Sequence, residues 1–168
     1  MIKEIYRKQV QLLLSVIPEI EKEDCFALHG GTAINLFIRD MPRLSVDIDL
    51  TYLPIDSYEH SRMAINTSLQ RIEGSLKKIL PSVIIQHNKD TAKLLITDKG
   101  VSVKVEVNLT GRGSLNLPVV MELCNRAQEE FDAFVSMQVL PEGQIFGGKI
   151  CAALDRQHPR DLLTYSIF

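Results

Sequence analysis

The stretch from Val101 to Asn108 constrains the fold more than any other. Val101, Val103, Val105 and Val107 alternate with Ser102, Lys104, Glu106 and Asn108. A period of two puts four branched apolar side chains on one face of an extended segment and four polar ones on the other. Such a strand has to lie in a sheet that is covered on its valine face, and Glu106 points away from that cover. A second segment, Val46-Asp47-Ile48-Asp49-Leu50-Thr51-Tyr52, alternates in the same way and is expected to be a strand with one wet face. Further strands are expected at Cys25 to Leu28, where a short apolar run stops at glycine, at Val83 to Gln86, at Ala92 to Thr97 and, less regularly, from Phe131 to Leu140.

Helical periodicity separates these strands. Ile2, Tyr6, Val10, Leu13 and Ile17 recur every three or four positions, and Pro18 is expected to close that helix. Thr32 is expected to open a short helix through about Arg39, with its hydroxyl at the N-cap. Ile65, Leu69, Ile72, Leu76 and Ile79 mark a long amphipathic helix ending at Pro81. Gly111 to Pro118 reads as a loop, Glu142 to Arg156 as a helix, and Arg160 onward as a final helix with Pro159 in its first turn. The class is α+β: a mixed β-sheet core with packed helices over residues 1–140 and a short C-terminal helical segment over 141–168.

A chain of 168 residues, 45% hydrophobic and 24% charged, fits one compact domain better than two. It has no apolar run of membrane-spanning length, and no secretory pattern follows the opening Met-Ile-Lys-Glu, so the cytoplasm is expected. Cys25, Cys124 and Cys151 show neither disulfide nor metal spacing and read as small buried hydrophobes. A formal charge of −2 gives no global attraction to nucleic acid.

The chemistry concentrates between Leu28 and Leu50. Gly30-Gly31-Thr32 stands between a strand and a helix, where glycines let the backbone approach an anion and the helix dipole favours phosphate. Taken alone it is more often plain turn chemistry. Asp47 and Asp49 lie two apart on a strand and so share a face, about 7 Å apart at the backbone. Two anions held that close call for a cation, and magnesium, which takes carboxylate and phosphate oxygens, suits them. An isolated Asp-x-Asp reads equally well as two acids facing water. Glu106 would be a third acid if its strand is a neighbour; by itself it reads as a solvated residue paired with Lys104. Three convergent acids can hold two metal ions about 4 Å apart for an in-line displacement at phosphorus.

This combination resembles the nucleotidyltransferase superfamily typified by DNA polymerase beta, through Gly30-Gly31-Thr32, Asp47, Asp49 and Glu106. More closely, LHGGTAINLF, RLSVDIDL and the downstream GGKICAALDRQHPRDL resemble the AbiEii/AbiGii toxins of type IV toxin–antitoxin and abortive-infection systems. The resemblance implies transfer of a nucleoside monophosphate from a triphosphate such as ATP to RNA, tRNA ends or protein. Asp47, Asp49 and Glu106 would bind two magnesium ions, or manganese in their place. Gly30, Gly31, Thr32, Ser45, Lys149, Arg156 and Asp161 would form the nucleotide side, with Lys149, Ala153 and Arg156 on one helical face. Lys149, Arg156, His158 and Arg160 would be the basic cluster for an acceptor. The resemblance also implies an antitoxin partner and no membrane.

The chain departs from the family where Thr164 takes the place of an expected acid and where it stops at Phe168, so it is expected to be a fragment or a reduced member. Two rival readings fit the same residues. One is transfer to a small molecule, as in antibiotic adenylyltransferases; the other is a catalytically silent module that binds nucleotide or antitoxin.

Overall fold

The structure is a computed structural model that describes residues 2–156. Helix α1 runs Ile2–Glu21 and strand β1 Phe26–His29. A single helical turn, α2, at Gly30–Thr32 continues into a π-helical segment at Ala33–Ile38. Then come β2 (Asp47–Tyr52), α3 (Tyr58–Ile79), β3 (Ile84–Asn88), β4 (Lys93–Asp98), β5 (Val101–Asn108), β6 (Val119–Glu122), α4 (Asn125–Phe131), β7 (Ser136–Val139) and α5 (Glu142–Arg156). The strands form one mixed sheet in the order β3-β4-β5-β2-β1-β7-β6. The β2–β5 and β1–β7 pairs are parallel and the rest antiparallel. The expected α+β class is what the chain adopts.

The valine strand explains the architecture. Val103, Val105 and Val107 are buried, and their register partners Ile48, Leu50, Leu94 and Ile96 are fully covered as well. These residues form the apolar floor on which α1 and α3 lie, with Leu13, Ile17 and Ile20 of α1 and Ile65, Leu69, Ile72 and Leu76 of α3 buried in the same core. Each such side chain contributes roughly 1.5–3 kcal/mol of apolar burial, enough to set which face of the sheet is dry. Ser57 caps α3, its hydroxyl accepting from the His60 amide at 3.3 Å.

Four sequence expectations are corrected. Pro18 lies inside α1, which continues to Glu21. Proline removes one hydrogen bond near the end of that helix, and the burial of Ile17 and Ile20 on either side of it offsets the loss. The expected strand from Phe131 to Leu140 is shorter, Ser136–Val139, because α4 ends at Phe131 and Asp132 turns the chain in the left-handed conformation at φ 47°. Neither α4 nor the edge strand β6 was anticipated. The cysteines are less covered than expected, with Cys25 and Cys124 half-buried and Cys151 exposed. Burial still pushes the Cys25 and Cys124 thiols above their ordinary values, which leaves them poorly nucleophilic. The fourth correction, at Thr32, belongs to the site. The expected final helix from Arg160 lies outside the described residues.

Candidate active site

The wet face of the sheet carries one polar row across five strands. His29 on β1 pairs with Asp49 on β2, Asp49 with Glu106 on β5, Glu106 with Lys93 on β4, and Lys93 with Asn88 on β3. Register partners share a face and stand about 4.8 Å apart from strand to strand, so Glu106 is the immediate cross-strand neighbour of Asp49. Asp47, two residues earlier on β2, lies on the same face with Lys104 as its partner on β5. The strand adjacency that the sequence left open is therefore present. The row borders an open pocket of about 410 Å³ lined by His29, Asp49, Asp90, Thr91, Lys93, Glu106 and residues 107–109.

The glycine turn abuts this row. Gly30 has φ +74°, and a β-carbon there would fall 3.2 Å from both Cβ and Cγ of Asp49, with the carboxylate oxygen closer still. Glycine is thus required at this position by the aspartate packed against it as well as by the left-handed backbone. Gly31 meets Ser45, whose Oγ would be 3.2 Å from an added β-carbon. The Thr32 hydroxyl does not cap the helix; it hydrogen-bonds the Asp47 carbonyl oxygen and Ser45 Oγ, the latter at 2.9 Å. Thr32 is fully buried, so it ties the turn to the first residue of the acidic strand, and Asn35 braces the turn from behind by donating to the Gly31 carbonyl at 2.8 Å. Replacing Thr32 by valine keeps the shape and removes both bonds. We expect a loss of about 1–3 kcal/mol in urea unfolding, at about 0.5–1.5 kcal/mol for each of the two bonds.

Electrostatics in the row reflect crowding. Burial raises the Asp49 carboxyl above its ordinary value; the charges of Asp47 and Glu106 add to that, while His29 and Lys104 oppose it. Burial lowers the His29 imidazole, Lys149 lowers it further, and Asp49, the Leu50 backbone and Glu106 work the other way. Burial acts to raise Glu106, but hydrogen bonds from Lys93 and Lys104 overcome it and hold its carboxyl below the usual range. Lys93 Nζ lies 3.0 Å from Glu106 Oε1 and Lys104 Nζ 3.2 Å from Oε2. Among the described residues no three His, Cys, Asp or Glu side chains stand close enough together to hold a metal ion. The pairing of Glu106 with Lys104, weighed from the sequence as the alternative to metal ligation, is present. The donor set is still of the kind a hard divalent cation takes: three carboxylates on one face, one of them disfavoured as an anion by burial and, after that, by its like-charged neighbours.

Lys149 sits on α5 with Ile145 and Ala153 one turn to either side, and both of these are buried. That face looks inward, and Lys149 is near enough to the row to act on His29. The Arg156 side chain and Asp161 lie outside what the structure describes, as do His158 and Arg160. His29, Lys93 and Lys104 were missed from the sequence as members of the site. His29 had a local signal, as the residue before Gly30 at a strand end, and Lys104 had one as the residue two before Glu106 on the same strand face; Lys93 becomes visible through register alone.

No helix among the described residues is long and apolar enough to cross a membrane. No curated protein and no solved structure matches the chain. A family model described as the nucleotidyl transferase AbiEii toxin of type IV toxin–antitoxin systems matches residues 11–163, and this span takes in the glycine turn, both aspartates, Glu106 and Lys149. By that match the chain belongs to the AbiEii family of nucleotidyltransferase toxins.

Proposed function

We propose that the chain transfers a nucleoside monophosphate from a nucleoside triphosphate to a hydroxyl on RNA, a tRNA end or protein, in a reaction that depends on divalent magnesium. The observation that carries this reading is the in-register neighbourhood of Asp49 and Glu106, with Asp47 on the same face and the Gly30-Gly31-Thr32 turn against Asp49. Asp47, Asp49 and Glu106 would hold the cations, which when bound supply charge neutralisation to the triphosphate and to the attacking and leaving oxygens. The chain's own residues do the positioning. The Gly30–Gly31 backbone and Ser45 border the triphosphate, and Lys149 on the inward face of α5 supplies its countercharge. Strand order puts the turn at the β1 side of the row and Glu106 two strands away on β5. In this reading the triphosphate lies towards β1 and the acceptor towards β5.

The acceptor oxygen forms a bond to the α-phosphorus as the bond to the β-phosphate bridging oxygen breaks, and pyrophosphate leaves. In this reading the acceptor proton passes to Glu106, the carboxylate on the acceptor side of the row. Labelled nucleoside triphosphates incubated with the protein, magnesium and either cellular RNA or protein should yield a labelled acceptor. Chelation with EDTA and the substitution Asp47→Ala should each reduce the label to background. Labelling unaffected by Asp47→Ala, or no acceptor labelled with any of the four nucleotides, would refute the reading. A neighbouring antitoxin and a cytoplasmic setting are parts of the same proposal.

A further inference from the structure

Both oxygens of Glu106 are occupied by ammonium groups, and one of these reaches further than the other. Lys93 on β4 touches Glu106 alone. Lys104 touches Glu106 at 3.2 Å, is the register partner of Asp47, and is acted on electrostatically by Asp47, Asp49 and Glu106 together. Its partner on the other side is Leu95, so no acid on β4 competes for it. The side chain is 40% exposed, and a lysine on a flexible four-carbon stem can leave for solvent at little cost. Magnesium binds carboxylate oxygens at about 2.0–2.1 Å. An ammonium hydrogen-bonded to the same oxygens blocks that approach, and an ammonium left beside a bound ion repels it.

We propose that Lys104 is an exchangeable internal counter-ion of the acidic row, pairing with Glu106 and balancing the charge of Asp47 and Asp49 in the absence of a divalent cation, and displaced when the cation binds. Lys104 thereby weakens cation binding and sets the concentration at which the site fills. It also keeps three carboxylates together on one sheet face when no cation is present. This rests on the metal-dependent reading above, and it adds a role for a residue that reading does not use.

The test is binding of manganese alone to the full chain, followed by electron paramagnetic resonance of the free ion, with no nucleotide and no turnover. Lys104→Met should bind manganese about fivefold more tightly, the change expected from removing an ion pair of ordinary strength. Lys104→Gln should do the same, and keeps the test usable if the methionine variant folds poorly. Lys93→Met, which frees one oxygen of Glu106 only, should give a smaller change. Lys78→Met, an exposed lysine on α3 over the opposite face, should give none. Unchanged or weaker binding by both Lys104 variants, with the parent binding normally, overturns the inference and leaves the metal-dependent reading standing. If neither parent nor variants bind, or if Asp49→Asn binds as well as the parent, both fall together.

Discussion

Asp49→Asn should lose nucleotide transfer by at least about a hundredfold, since even an outer partner of a metal ligand costs 10–100-fold and Asp49 would be a ligand itself. The same variant should be no less stable than the parent when divalent ions are chelated. Its shape is kept, so the contact with Gly30 survives, and what disappears is a half-buried charge facing Asp47 and Glu106. Because the Asp49 carboxyl is raised in the fold, its protonated form is the one the fold favours. Its contribution to stability is therefore present below the ordinary carboxylate range and is lost as pH rises through the raised value. The variant should gain on the parent across that window and hold the gain at neutral pH, as read by urea unfolding in EDTA at several pH values. Added manganese should narrow the difference by stabilising the parent alone. A variant that is both inactive and markedly less stable would show that Asp49 is needed for folding.

Gly30→Ala should impair both folding and activity. The left-handed backbone at φ +74° costs an alanine roughly 1–2 kcal/mol, before its β-carbon meets the Asp49 side chain. That contact can be relieved only by moving the turn or the carboxylate, and either movement separates the triphosphate side of the site from its acids. Gly31→Ala is the control. Its β-carbon meets only the Ser45 hydroxyl at 3.2 Å and Asn35 at 3.9 Å, and its φ lies outside the left-handed region, so it should cost less in both assays. Combining Gly30→Ala with Asp49→Ala should restore part of the lost stability, because the side chain being struck is then shorter. If the two losses simply add, the clash is not what makes glycine necessary.

The sequence exposed the site's acids better than it exposed their company. Val101 to Asn108 and Asp47 to Leu50 alternate because each has one buried and one wetter face, so the directions of Asp47, Asp49 and Glu106 could be read from period two; further along β2 Thr51 is buried as well. Lys104 could be paired with Glu106 in the same way, two residues apart on one strand face, but Lys93 could not be assigned a partner. Its ion pair depends on which strand neighbours β5 and in what register, and those are properties of the whole sheet. Thr32 misled for a related reason: a threonine before a helical run is a good local N-cap candidate, but a tertiary acceptor, the Asp47 carbonyl, takes its hydroxyl. The short elements β6 and α4 were illegible because four exposed-to-half-buried residues carry no alternation and seven residues hold only Ala127 and Phe131 as buried positions.

Strand β5 lies between the β3–β4 hairpin and the β2–β1 pair, and it supplies Glu106. A growing chain that has reached only β4 already contains the glycine turn, both aspartates and Lys93, yet no strand joins the two parts of its sheet and the third carboxylate has still to be made. Assembly of the acidic row thus waits for an element more than fifty residues downstream of the aspartates. On the metal-dependent reading proposed above, a product of the ribosome ending short of that strand would carry the signature motifs without the third ligand.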